Sequence, residues 1–257
     1  MKKQIISMAI GTVVALFVSG ASLAQGSEGP VFVPVELYAC QYNEGKGPAD
    51  LDAAASAWTE YMDRNSIDSY AAWTLEKHYF GQDQDYFDVL WLGAWKNANE
   101  MGAGSDSYLA TGSAVQAGFM SVLTCAAHVN FASVNPVPPP GGRTPESGVL
   151  TFSDCTLKEG ARGSDVTAAM TKWGQILKDA GIESGIFHWY PVFGGGDADF
   201  AFKWIETYAD HTALGKTYEI MGNGGLYLKH RELFSDLLEC DVARVYNAKN
   251  RRQAQLR

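Results

Sequence analysis

Five histidines and four cysteines are the residues of this chain best suited to chemistry, and their spacing limits what that chemistry can be. His78, His128, His188, His211 and His230 never fall at H-x-H, H-x-x-x-H or H-E-x-x-H spacing, so local sequence names no metal site. His188, in "GIFHWYP", is the first choice for a general base or for a haem or metal ligand, because imidazole exchanges a proton near neutral pH. His78 is the second choice, and a hydrogen-bonded structural histidine is the alternative for each. Cys40, Cys125, Cys155 and Cys240 form no C-x-x-C, which argues against a zinc knuckle and a thioredoxin-type pair. "FGGGDAD" at 193–199 lacks the Walker lysine and any following helix, so it reads as a hairpin loop; no G-x-S-x-G elbow is present. No cofactor is named by these residues.

The chain opens with Lys2 and Lys3, an apolar stretch from Ile5 to Val18, and Ser22-Leu23-Ala24. That is the pattern of a signal peptide cleaved after Ala24, with a retained anchor as the alternative. An exported, periplasmic or secreted chain with an even number of cysteines points to disulfides, in one of three connectivities. Formal charge is −9, and two units more acidic once Lys2 and Lys3 are lost. An acidic surface repels phosphate backbones, which disfavours nucleic acid as a partner. The basic run "KNRRQAQLR" reads as a solvated tail over 248–257. No membrane span is expected after cleavage.

The elements that must position these residues occur twice. Cys40 and Cys125 recur as Cys155 and Cys240 at an offset of 115 residues, as do Glu44-Gly45 as Glu159-Gly160 and Trp58 as Trp173. A slip to 113 pairs Trp91 with Trp204 before the register of 115 returns. This is a tandem duplication, 33–134 and 148–247, joined by a Pro/Gly-rich linker at 135–147. Each copy reads strand, helix, strand, strand, helix, strand. The helices are expected at 49–65, 98–124, 165–180 and 208–238. The repeated Glu-Gly is expected to make a tight turn before the first helix, with a carboxylate capping that helix or binding a cation.

The order β-α-β-β-α-β is the ferredoxin-like module, in which the first and last strands are antiparallel neighbours. That pairing brings Cys40 beside Cys125 and Cys155 beside Cys240, one bridge per module. Such a module covers one sheet face with its helices and leaves the other bare. With two copies, the chain resembles the dimeric α/β-barrel superfamily, whose sheets pack face to face. The resemblance implies an α+β intramolecular barrel, as a monomeric pseudo-dimer or a homo-oligomer. It also implies a class of small-molecule enzymes and binders that includes cofactor-free monooxygenases and haem-handling proteins.

Strand alternation is expected to turn Val35, Leu37, Leu150 and Phe152 towards the helices. Glu36, Tyr38, Thr151, Ser153 and the cysteines would then face the shared interior, with Val129, Phe131, Arg244, Tyr246 and the equivalent Trp91 and Trp204. Glu36, Tyr38, Trp91, Trp204 and Arg244 are therefore the expected contacts of a small apolar or aromatic ligand between the sheets. The alternative for the tryptophans is simple packing. Three functions remain open: a ligand-binding protein; a cofactor-independent oxygenase or isomerase using His188 or His78 beside Glu36, Tyr38 or Arg244; and a non-catalytic interaction or assembly module with a dry interior.

Overall fold

The computed structural model describes residues 31–140, 147–196 and 198–254. The expected leader at 1–24, positions 141–146 of the expected linker and the last three residues of the chain lie outside the described residues. In chain order the elements are β1 (Val33–Tyr42), α1 (Pro48–Arg64), β2 (Tyr70–Tyr79), β3 (Val89–Trp95), α2 (Ala98–Thr111), α3 (Ser113–Val122) and β4 (Leu123–Val137). There follow β5 (Ser147–Leu157), α4 (Gly163–Asp179), β6 (Gly185–Phe193), β7 (Phe202–Tyr208), α5 (His211–Gly222), α6 (Leu226–Phe234), β8 (Leu238–Cys240) and β9 (Arg244–Arg252).

The second helix expected in each half is two helices. Gly112 separates α2 from α3, and a side chain there would press on the Tyr108 carbonyl at 2.5 Å. Gly225, with φ of +73°, separates α5 from α6 in a left-handed conformation that suits glycine. Glycine serves the repeated Glu-Gly turn in the same way: Gly45 and Gly160 have φ of +73° and +82°. The cap comes from further along, where Asp50 accepts from the Gly47 N–H at 3.1 Å and Asp165 from the Arg162 N–H at 3.0 Å. Glu44 and Glu159 are not the capping groups.

All the long strands belong to one antiparallel barrel, in the closed order β4-β1-β3-β2-β9-β5-β7-β6, with β8 beside β5. The expectation of two sheets facing each other is thereby corrected. The halves meet along strand edges, β2 on β9 and β4 on β6, and closure leaves no long edge exposed among the described residues. Register pairs Cys40 with Cys125 and Cys155 with Cys240, and both disulfides form as expected, at the same end of the barrel.

The basic run is not a tail. Lys249, Arg251 and Arg252 lie in β9 and clamp onto α1: Lys249 and Arg251 both reach Asp52, at 2.8 and 2.5 Å, and Arg252 pairs with Asp63. Residues 135–137 likewise extend β4 instead of opening the linker, with Pro136 at an interruption of the β4–β6 register, where a missing N–H costs no ladder bond.

An eight-stranded barrel has a lumen narrow enough for side chains to fill. Here small residues (Ala39, Ala71, Ala94, Ala248) alternate with Trp73, Phe131, Phe152, Trp189 and Tyr246. Separate apolar layers lie outside, around Trp58, Trp91 and Trp95 under α1–α3 and around Trp173, Trp204 and Phe234 under α4 and α6.

Candidate functional site in the barrel mouth

Which face each strand turns inward decides what can form a site. Val35, Leu37, Leu150 and Phe152 face the lumen, while Glu36, Tyr38, Trp91 and Trp204 face the helices, the reverse of the expected phase. The lumen takes aliphatic and small residues together with Trp73, Phe131, Phe152, Trp189 and Tyr246. The helix layer accommodates large rings whose polar tips find partners. Val129, Phe131, Arg244 and Tyr246 do face inward as expected. On β4 they do so because a register shift between the Cys40–Cys125 and Ala39–Ala127 pairs puts the cysteine out of phase with Val129.

On the outer face the predicted residues form a bonded network. Glu36 accepts from Trp95 Nε1 at 3.0 Å and from the Tyr70 hydroxyl at 3.4 Å, and Tyr38 stacks on His128 with ring centroids 3.7 Å apart. Burial and the Glu36 charge push the Tyr38 phenol well above its ordinary value. Trp204 donates to Glu206 at 3.0 Å in the second half, and Tyr208 bonds the same carboxylate. His188 is 2% exposed on this outer face, 4.5 Å from the Phe202 ring and 5.0 Å from Trp204. Its Nε2 has no hydrogen-bond partner among the described residues, and burial pushes the imidazole down to about 4. His78 is exposed at the end of β2, against His211.

His188 packs against Phe202 and Trp204 and His78 against His211, so neither is placed beside Glu36, Tyr38 or Arg244 as the catalytic expectation requires. A haem on His188 does not fit the residues present either. Phe202 and Trp204 pack against the ring itself, and His230 and Phe234 pack in turn against Trp204. Among the described residues no group of three or more His, Cys, Asp or Glu is placed to hold a metal ion.

The open space is elsewhere. At the disulfide end of the lumen lies a cavity of about 210 Å³, walled by Leu37, Leu90, Val129, Phe131 and Phe152. Its rim comes from the hairpins that join β2 to β3 and β6 to β7, where Tyr86 and Phe193 are exposed. Tyr246 ties the first hairpin to β9 by donating to Gln84 Oε1 at 3.0 Å.

Three charged side chains enter this mainly apolar space. Lys203 on β7 donates to Asp154 on β5 at 2.5 Å, and its ammonium lies 4.2 Å over the Phe200 ring. Arg244 reaches Asp154 at 3.2 Å with one nitrogen and Asp241 at 2.6 Å with another. The Lys203 and Arg244 side chains are only 15% and 13% exposed. Burial pushes the Lys203 ammonium below its ordinary value, and Asp154 partly offsets that. Arg244 was expected from the sequence; Asp154 and Lys203 were not. The repeat itself carries the missed signal. At the offsets of 115 and 113, Asp154 stands opposite Ala39, Lys203 opposite Leu90 and Arg244 opposite Val129. All three counterparts line the same cavity from the other half.

No family model and no curated protein matches the chain. Among solved structures, a candidate chlorite dismutase aligns with a TM-score of 0.52 at 12% identity, over 86% of this chain and 95% of its own. Chlorite dismutase from Candidatus Nitrospira defluvii in complex with imidazole gives 0.50 at 9% identity, over 84% and 90%. A haem-binding protein from Thermus thermophilus gives 0.49 at 13%, over 86% and 92%. The chain shares with the first of these structures the fold of a closed, eight-stranded antiparallel barrel with helices packed outside it. At these identities the likeness extends to the fold alone, and function rests on this chain's own residues. The two disulfides, with no helix among the described residues long and apolar enough to cross a membrane, are compatible with an extracellular or periplasmic protein.

Proposed function

We propose that this is an exported protein, two ferredoxin-like modules in one chain, that binds a small apolar or aromatic molecule in the mouth of its barrel. The observation that carries the reading is the one-sided charge cluster. Asp154, Lys203 and Arg244 stand in a partly buried apolar cavity where the other half places Ala39, Leu90 and Val129. Burying charge costs free energy that packing alone does not require, since the equivalent apolar residues fill the same lumen without it. At about 210 Å³ the cavity is below the common range of roughly 300–1,000 Å³ for ligand pockets, so the ligand is small.

The cluster also limits ligand charge. Lys203 and Arg244 balance Asp154 and Asp241, so a charged ligand would leave an uncompensated ion in a partly dry site. A neutral molecule with a carbonyl-type acceptor suits it, because Lys203 carries three N–H donors and Asp154 takes one of them. An open cavity disfavours the dry assembly module. The closed single-chain barrel supports a monomeric pseudo-dimer.

Native mass spectrometry of protein from the exported fraction, beside a denatured control, tests the reading. A small mass excess lost on denaturation, and lost from an Ala127→Leu variant with a filled cavity, is the expected result. An excess retained by that variant would place the ligand elsewhere.

A further inference from the structure

Lys203 has surroundings that go beyond holding a ligand's acceptor oxygen. It is an amine in a partly dry cavity, with a carboxylate in hydrogen-bond contact at 2.5 Å and an aromatic face at 4.2 Å. Arg244, whose own charge lies against the same carboxylate at 3.2 Å, adds a second cation that disfavours a protonated neighbour. The cavity that Lys203 lines is also walled by Phe131, Phe152 and Leu90. A neutral aromatic carbonyl compound is the acceptor class that both the walls and the charge balance admit. Lysines with this environment, desolvated and beside another cationic group, are the ones that add to carbonyl carbon.

We propose that Lys203 captures small aromatic aldehydes or ketones as a protonated imine, with Asp154 moving the proton. The inference rests on the barrel-mouth reading above. The steps balance without an oxidant or reductant. The ammonium passes a proton to Asp154, and the freed lone pair of Nζ forms a bond to the carbonyl carbon. The π electrons of the C=O bond move to oxygen, which takes a proton from Asp154 and gives a carbinolamine. Asp154 then takes a second proton from the nitrogen and hands it to the hydroxyl; the lone pair so freed forms the C=N bond as the C–O bond breaks, and water leaves. An aldehyde and an ammonium become an iminium and one water. The iminium keeps the positive charge that Asp154 and the Phe200 face already accommodate.

The test incubates the full chain with benzaldehyde and sodium cyanoborohydride near neutral pH, then maps benzylated lysines by peptide mass spectrometry over time. Lys203 is expected to label ahead of every other lysine, including Lys77, which lies over Phe80 and Phe87 and donates to two backbone carbonyls. Asp154→Asn, shown folded by circular dichroism, is expected to slow labelling at Lys203 and nowhere else. Labelling of Lys203 at the rate of the exposed lysines would overturn the inference, as would an unchanged rate in Asp154→Asn. Benzyl alcohol, which has the ring but no carbonyl, separates the two levels of the account. If it shifts the methyl resonances of Leu37 and Leu90 while benzaldehyde leaves Lys203 unlabelled, covalent capture fails and the cavity reading stands. If neither compound engages the cavity, both fail.

Discussion

Lys203 on β7 lies directly across from Asp154 on β5, and the same two places in the other half of the barrel hold Leu90 across from Ala39. One pair is charged and bonded at 2.5 Å; the other is plain lumen packing. The protein therefore contains its own apolar control. Asp154→Ala strands Lys203 in the lumen while Arg244 keeps Asp241, and we expect it to cost about 1–3 kcal/mol, below the figure for a fully buried pair because Asp154 is a quarter exposed. Asp154→Ala with Lys203→Leu copies the first half's solution and is expected to recover most of that loss. Urea unfolding of the two variants checks it, and a double variant as unstable as the single one would show that the pair is required for folding.

His188 predicts a pH dependence. Its imidazole takes a proton near the ordinary 6.5 in the unfolded chain but only near 4 when folded, because burial disfavours the cation. Between those values the unfolded state binds more protons, so stability falls as pH drops and levels off below about 4. The loss is about 2 kcal/mol by pH 5. His188→Phe removes this group, and the difference between wild type and variant at pH 7 and pH 5 isolates it from the carboxylates. Equal slopes for the two proteins would contradict the assignment.

Gly93 exists to admit Tyr70. A side chain at Gly93 would collide with the tyrosine ring and hydroxyl, and that hydroxyl reaches Glu36 at 3.4 Å while accepting from Trp91 Nε1 at 3.3 Å. Gly93→Ala should cost roughly 1–3 kcal/mol or more through overpacking. Adding Tyr70→Ala should relieve part of that, a positive coupling readable in a double-mutant cycle. Simple additivity would show that the ring can move aside.

Each disulfide closes a loop of 85 residues. Replacing Cys40 and Cys125 by serine is expected to cost roughly 4–5 kcal/mol in the chain-entropy account, and Cys155 with Cys240 about the same. Thermal unfolding of both double variants checks the equality. A large inequality would show that one half is held by contacts the other lacks.

Much of the fold is legible because it depends on period and repetition. Trp58 and Trp173, Gly45 and Gly160, and both cysteine pairs recur at one offset, and that recurrence gives element order, turns and disulfide pairing. What the period cannot give is the sense of a strand. Alternation says that Glu36 and Tyr38 share a face, but not whether that face meets helices or lumen. Polarity misleads here, because Glu36 is satisfied by Trp95 and Tyr70 under the helices. The face that His188 takes is hidden from the sequence for a related reason. Register sets it across from Trp204, as Thr74 is set across from Trp91, so its counterpart is Thr74 and its place is the outer layer. The basic residues of β9 look like a tail in sequence because their partners Asp52 and Asp63 lie almost two hundred positions earlier. Asp154 and Lys203 were within reach of sequence, as charges at positions where the other copy is apolar.

The most direct test of the account is a methyl-resolved NMR titration of the full chain with acetophenone, a neutral aromatic ketone of the size the cavity admits. The account predicts saturable shifts at Leu37, Leu90 and Val129, which line the lumen, with Leu51 and Val166 under the helices unmoved and with the response abolished in Ala127→Leu. Shifts confined to the outer layer, or lumen shifts that persist in the filled variant, would contradict a binding site in the barrel mouth.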